Sequence, residues 1–544
     1  MMNIKANYID LQNREIYPAV IEIKDKKIHA VAKINEVLSA YLLPGFIDAH
    51  IHIESSMLVP SEFARIAVRH GTVATVSDPH EIANVLGVKG VEFMLENAEK
   101  VNFHFNFGVS PCVPATLFET SGATLDVDAV KELLQNPRLN HLSEVMAFPS
   151  VLNDDSEIMG KIAAAKALHL PIDGHAPFLS GEDLKKYVDA GISTDHEASS
   201  YEEGKEKLEL GMKILIREGS AAKNYEALSP LIAAYPDMLM FCSDDRHPND
   251  LLQGHINTLV KRSIAKGYDL FDVLKIACIN PKEHYNLDVG TLQVGDRADF
   301  IEVQDLEGFK VLRTFIDGTC VYEDGVTKID SVEVMPVNNF HATAVTADDF
   351  IFKSECDDIE VIQAIDHELF TKELLYHTHQ DGRFNVDLEK DILKIAVINR
   401  YQKSRPALGF INGFNLKRGA IASCIAHDSH NIIVVGCSDE EMAKAVNLLV
   451  ASKGGIAAVD GVHSLHLPLS VAGIMSSDDA FKVAAQYEEI DHFVKETLGT
   501  SLSAPFMTLS FMALLVIPEI KISDQGLFDG RAFHFIPTCA KEAQ

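Results

Sequence analysis

The chain has 544 residues, 47% of them hydrophobic, which is enough apolar material for about three or four domains with cores of their own. With 48 Lys and Arg against 79 Asp and Glu, the net charge of −31 argues against nucleic-acid binding and against an anionic membrane surface, since both need a basic excess. Eight Cys without any CxxC pair argue against a disulfide scaffold, a zinc ribbon or a redox motif, and predict reduced, mostly buried thiols in a cytoplasmic protein.

The first residues, MMNIKANYIDLQNREIYPAV, carry scattered charge and no apolar core, so they do not read as a signal peptide. Through residues 1–41, apolar and polar residues alternate in short runs such as YPAVIEIKDKKIHAVA, with a tight turn expected at Lys24-Asp25-Lys26. Between 42 and 285 the pattern changes. Eight short apolar runs (42–52, 72–78, 104–110, 143–148, 170–176, 192–197, 212–218 and 238–245) alternate with amphipathic helical stretches such as PSEFARIAVRH and GEDLKKYVDAG. Eight β-then-α units predict a (β/α)₈ TIM-like barrel; an open doubly wound sheet is the alternative, but no GxGxxG follows the first strand. Residues 286–335 return to short strands, and 336–544 carry strands and helices of a further α+β unit. The uncharged stretch 497–518 is broken by Gly499, Pro505 and several hydroxyl residues, so a buried segment is expected there rather than a membrane span.

Several residues able to bind metal fall at the predicted strand ends. His50 and His52 stand two apart on the first strand, and so on one face. Alone, that pair is also what two solvated histidines would give. His175, His196 and Asp244 end the fifth, sixth and eighth strands, and Glu144 lies inside the apolar fourth. A barrel gathers its strand C-termini on one face, so all six would surround one cavity. Imidazole with carboxylate suits Zn, Mn or Fe better than Ca or Mg. Glu144 has no obvious cationic neighbour in its strands, so a bridge between two metals is one natural role. Asp78-Pro79-His80-Glu81, after the second strand, reads equally as an acid/base or substrate-holding loop and as a helix start capped by Asp78. Arg217, Ser220 and Arg246 are weaker candidates for substrate contact. His427-Asp428-Ser429-His430 is read mainly as a local hydrogen-bonding turn, structural or at most behind the site.

The run PGFIDAHIHIE, with His175, His196 and Asp244, resembles the amidohydrolase superfamily. SDPHEIANVLG (77–87), SEVMAFPSVLN (143–153), FCSDDRHPNDLLQGH (241–255) and GFINGFNLKRGAIASCIAHDSHNIIVVG (409–436) resemble its bacterial adenine deaminases over essentially the whole chain. The resemblance implies a metal-dependent hydrolase barrel (42–285) and a small β-sandwich built from 1–41 and 286–335. It also implies a C-terminal domain (336–544); with six ligands already found before residue 250, that domain is expected to pack on the barrel and help cover the pocket or build the oligomer, without giving metal ligands. His50, His52 and Asp244 would bind the more buried of two divalent metals, Mn²⁺ or Fe²⁺ with Zn²⁺ tolerated. His175 and His196 would bind the second, and Glu144 would bridge them. The reaction would be adenine to hypoxanthine and ammonia, by hydroxide formed on a binuclear centre. In it Asp244 moves a proton, His80 or Glu81 protonates the ring, and Asp78, Arg217, Ser220 and Arg246 hold substrate. The partner would be a free small molecule and the enzyme a homo-oligomer, a dimer or larger. A cyclic amidase or deacetylase on the same barrel, and a metal-free scaffold, are the competing readings.

Overall fold

A computed structural model describes residues 1–353, 357–378 and 384–539. The eight predicted strands form a parallel barrel. Phe46–Ile51, Thr72–Ser77, His104–Val109, Leu139–Val145 and Ile172–Gly174 pair in sequence. Thr194–Asp195, Lys213–Arg217 and Leu239–Cys242 continue the wall. Ser193 N–H donates to the Ile172 carbonyl at 2.9 Å across the fifth and sixth strands, and Asp244 N–H donates to the His50 carbonyl at 3.0 Å, closing the eighth strand on the first. The first, second and eighth strands are buried on both faces, which is why they read as unbroken apolar runs. The intervening helices start where the sequence supplies caps: Asp126, Asp155 and Ser200 each accept backbone N–H groups of the first turn.

The strands that flank the barrel meet in one eight-stranded sheet. Met2–Asp10 and Tyr41–Pro44 sit at its centre beside Phe300–Val303. The sheet curls over a core that includes Ile4, Tyr8, Ile21, Phe300 and Phe315. Its far edge strand, Lys27–Lys33, bonds to the segment just before Phe300: Ile28 N–H reaches the Asp296 carbonyl at 2.9 Å. The predicted turn is a two-residue one, with Asp25 at φ 50° and Lys26 at φ 66°, both left-handed as such hairpins need.

The C-terminal part is a second eight-stranded sheet with helix Asp439–Ser452 on one face. The opposite face, with Ile395, Ile421 and Val435, belongs to one hydrophobic cluster that runs unbroken into the barrel core. Polar ties reinforce this docking: Ser476 N–H donates to Met57 O at 2.7 Å, and Arg65 pairs with Asp479 at 2.7 Å. The uncharged stretch holds the short buried helix Pro505–Phe511, and no helix among the described residues is long and apolar enough to cross a membrane. Cys112, Cys242, Cys278, Cys320, Cys424 and Cys437 are free thiols, but Cys539 is disulfide-bonded, so the expectation of reduced thiols throughout fails there.

Candidate metal centre and active site

His50, His52, Glu144, His175, His196 and Asp244 come together at the C-terminal mouth of the barrel, all buried. Glu144 is the hub. Its Oε1 lies 3.2 Å from His52 Nε2; its Oε2 lies 2.7 Å from His175 Nδ1 and 3.2 Å from His196 Nε2. Asp244 Oδ1 lies 3.2 Å from His52 Nε2 and 3.6 Å from His50 Nε2. Asp244 holds a left-handed backbone, φ 54°, fixed by its N–H bond to His50 O; such positions persist where the surroundings over-determine them, as at functional sites.

The donor set fits a divalent cation. His52 Nδ1 donates to the Asp78 carbonyl at 3.2 Å, which in a neutral imidazole leaves a lone pair on Nε2. That lone pair faces Glu144 Oε1, Asp244 Oδ1 and, at 3.2 Å, His50 Nε2. Acceptors opposed in this way repel unless a cation sits among them. His175 Nε2 is buried without a hydrogen-bond partner beside the same carboxylates. Burial alone would push Glu144 up, but the His175 imidazole against Oε2, with His196, outweighs it and holds the carboxylate well below its usual range. Burial works the same way on Asp244, and the Arg217 guanidinium overrides it.

A buried scaffold orients these ligands. Asp195 accepts from the Ala176, Glu197 and Ala198 N–H groups at 2.9–3.1 Å and from Lys207 Nζ at 2.8 Å, tying the loop after His175 to the loop after His196. Tyr187 Oη donates to Val145 O at 2.7 Å and accepts from His175 N–H at 3.1 Å, locking the strand of Glu144 to His175. Asp48 binds Ser243 N–H at 3.0 Å and His255 Nε2 at 2.7 Å, bracing the first strand against the eighth. Lys207 is wholly buried. Lys207→Met leaves Asp195 without its counter-charge and is expected to cost about 3 kcal/mol of stability. Denaturant unfolding reads this out, and a change below about 0.5 kcal/mol would show that the backbone N–H groups suffice for Asp195.

The DPHE run is not the helix cap that its sequence allows. Helix His80–Leu86 has Pro79 at its cap position, and Asp78 caps nothing. Its carboxylate instead accepts from the Ser110 hydroxyl and from His80 Nδ1, the latter at 3.2 Å, so Asp78 orients His80 rather than touching substrate. His80 and Glu81 do line the central cavity, which is bounded also by Glu144, His175, His196 and Asp244.

Two of the expected substrate contacts lie elsewhere. Ser220 bonds Asp250 at 2.5 Å, and the Arg246 guanidinium donates to Glu218 O at 2.7 Å and Asp250 O at 3.2 Å, so both brace the loop after the eighth strand. Arg217 reaches the site but is committed there. It pairs with Asp244 Oδ2 at 2.7 Å and grips Glu197 with both terminal nitrogens. Its flank borders an outer cavity that shares Glu197 and Leu369 with the inner one.

Glu197, Asp245, Met146, Leu369, Leu514, His427 and Asp428 also line the inner cavity without having been expected there. The doubled acids in SDD and the acid after His196 in DHE were the available signals for Asp245 and Glu197. His427 to His430 do form the expected turn, closed by His430 N–H on the Ala426 carbonyl at 2.8 Å, but it stands at the cavity rather than behind it, with His427 and Asp428 in the lining. His427 Nδ1 and His430 Nε2 lie against the two oxygens of Glu81, and Asp428 Oδ1 is 3.4 Å from His80 Nε2.

Residues 41–321 match the amidohydrolase family, and residues 368–534 match the adenine deaminase C-terminal domain. Among similar proteins is the adenine deaminase of Sulfurovum sp. (strain NBC37-1), 59% identical, with 99% of this chain and 100% of that protein covered. The adenine deaminase of Salinibacter ruber is 52% identical, with 98% of each chain covered. That of Methanosarcina mazei is 48% identical over 98% of this chain and 99% of its own. With both halves matched and the likeness running nearly end to end, the chain belongs to the amidohydrolase family, in its adenine deaminase branch.

Proposed function

We propose that the chain hydrolyses adenine to hypoxanthine and ammonia. The observation that carries this reading is the convergence of four imidazoles and two carboxylates on one small buried cavity, in a chain alike over its length to adenine deaminases. The residues that would hold two divalent ions, Mn²⁺ or Fe²⁺ with Zn²⁺ tolerated, are His50, His52 and Asp244 for one and His175 and His196 for the other, with Glu144 as the ligand they would share. When bound, such ions supply Lewis acidity and bring water close to neutrality in pKa.

The chain's own groups do the rest. Water adds at C6 of the purine, a ring nitrogen gains a proton, and the exocyclic amine leaves as ammonia. Asp244 Oδ1 faces the ligand cluster and is placed to take the proton from water and deliver it to the leaving amine. Across the cavity, His80 is placed to give a proton to the ring nitrogen, and the ionised Glu81 beside it to take up a proton and pass it on. Met146, Leu369 and Leu514 give apolar walls that suit a flat base and keep bulk water out. Net charge of −31 favours a free base over adenine within nucleic acid. A deacetylase acting on a phosphorylated sugar would need a free cation at the mouth, and Arg217 and Arg246 are both already paired.

Mn²⁺-loaded protein is expected to release ammonia from adenine and to leave adenosine nearly untouched, in keeping with its nearly end-to-end likeness to adenine deaminases. Equal rates on the two would overturn the free-base reading, and ring opening of a cyclic amide in place of deamination would overturn the reaction class.

A further inference from the structure

Glu81 sits on the barrel, on the first turn of the helix after the second strand, yet its surroundings come from the other end of the chain. Its carboxylate is 1% exposed. One oxygen meets His427 Nδ1 and the other meets His430 Nε2. The barrel adds only His80 Nε2, 3.4 Å from Oε1.

The hydrogen-bond pattern fixes the proton positions. Ala426 N–H donates to His430 Nδ1 at 3.4 Å, so in the neutral ring that nitrogen carries the lone pair and Nε2, packed against a Glu81 oxygen, carries the proton. The ring is further held by its own backbone, since His430 N–H donates to Ala426 O at 2.8 Å. His427 presents Nδ1 to Glu81 and turns Nε2 toward the cavity, where its nearest acid is Asp245 at 3.7 Å; no hydrogen-bond partner reaches that Nε2. The loop itself is docked on the barrel: Ser429 Oγ donates to Glu119 at 2.7 Å, and Asn431 Nδ2 donates to Thr120 O at 2.9 Å.

We propose that His427 and His430 are positioning residues that clamp Glu81 from the C-terminal domain, so that the proton-moving carboxylate is correctly aimed only when the two domains are docked. This deepens the adenine reading above and rests on it. The clamp gives the C-terminal domain a stated task. It supplies no ligand to the metal cluster and instead fixes the rotamer and the ionised state of a barrel acid. Burial would raise Glu81, and His427, His430 and His80 hold it well below the usual carboxylate range, which supports the same arrangement.

The test compares loss of the ring with loss of the donor. His427→Ala with His430→Ala should leave two metal equivalents per chain and lower kcat by about 10²-fold or more with KM within a few-fold, the range expected for mis-aimed acid–base groups. His427→Asn with His430→Gln keeps a donor at each of the two positions and should recover most of that loss. Loss of metal from the folded double-alanine protein would show that these residues are ligands and overturn the proposal. So would undiminished kcat, and so would an Asn/Gln variant as inactive as the alanine one, because the imidazole itself would then carry the chemistry. A crystal structure of the metal-loaded wild type gives a readout independent of substrate: Glu81 turned away from both rings overturns the clamp even if adenine is not the substrate. Wild-type protein inactive on adenine but with the clamp in place overturns the substrate reading alone.

Discussion

Glu144→Gln is expected to leave fewer than two divalent ions per folded chain and to abolish most turnover. Glu144 touches the imidazoles of His52, His175 and His196, with His80 Nδ1 a fourth at 3.5 Å, and no Lys or Arg among the described residues. An amide keeps the shape but loses the charge, and its NH₂ replaces one acceptor with a donor. If the carboxylate joins two metals, both lose a charged ligand at once. Removal of groups that merely orient ligands commonly costs roughly 10- to 100-fold in metal affinity, and a shared ligand should cost at least as much. If Glu144 instead only neutralises protonated histidines, the variant keeps two metals and loses stability. Metal counting on folded protein, beside a melting curve, separates the two outcomes. Reconstitution with excess Mn²⁺ adds a second check, since recovered activity at high metal would locate the defect in binding rather than in chemistry.

The centre was legible in the sequence because a parallel barrel is a strong constraint. Once eight apolar runs alternate with helices, any His or carboxylate at a run's end is assigned to one face, whatever its neighbours. His50, His52, His175, His196 and Asp244 were found on that rule, and Glu144 as a carboxylate inside an otherwise apolar strand; the structure brings all six together. The rule is silent about what a strand-end charge pairs with. Arg217, Ser220 and Arg246 all follow strand ends, yet their partners, Glu197 and Asp244 for the first and Asp250 or the Glu218 carbonyl for the others, come from neighbouring loops. Buried Arg217 must pair, and the two nearest acids meet that need; no periodicity encodes the choice. Asp78 illustrates a different limit, since a residue before Pro-His-Glu satisfies both a cap and a catalytic-loop pattern, and only Ser110 on the adjacent strand decides between them.

The C-terminal contribution was hidden for a topological reason. His427 and His430 follow a strand of a separate sheet, and their local pattern is that of an ordinary turn. Their meaning depends on docking that sheet's inner face against the barrel, a contact between residues far apart in the chain and made by apolar side chains such as Ile395 and Val435 that look like any core. Histidine spacing could not have indicated that Glu81 lay opposite.

Asp244→Asn should reduce kcat by about 10²–10⁴-fold while KM changes little, the range for removal of a positioned acid–base group, with lost ligand charge adding to it. The two oxygens of Asp244 have different tasks. Oδ2 is held by Arg217 at 2.7 Å, which fixes the rotamer and favours the ionised form; Oδ1 faces His50 and His52 and the cavity beyond. Asn can imitate the hold only in part. If its oxygen turns to Arg217, an NH₂ faces the imidazole lone pair of His52 and no base remains on the cavity side. If its oxygen turns to the cavity, the NH₂ opposes the guanidinium. Either orientation removes the group proposed to accept the proton from water, so the chemical step is expected to slow more than purine binding, which in the proposed reading relies on the apolar walls and on His80 and Glu81. Solvent isotope effects on kcat should grow in the variant as proton transfer becomes limiting. An Asp244→Asn protein with near-normal turnover would transfer the proton-carrying role across the cavity, with Glu81 the next acid in place to take it.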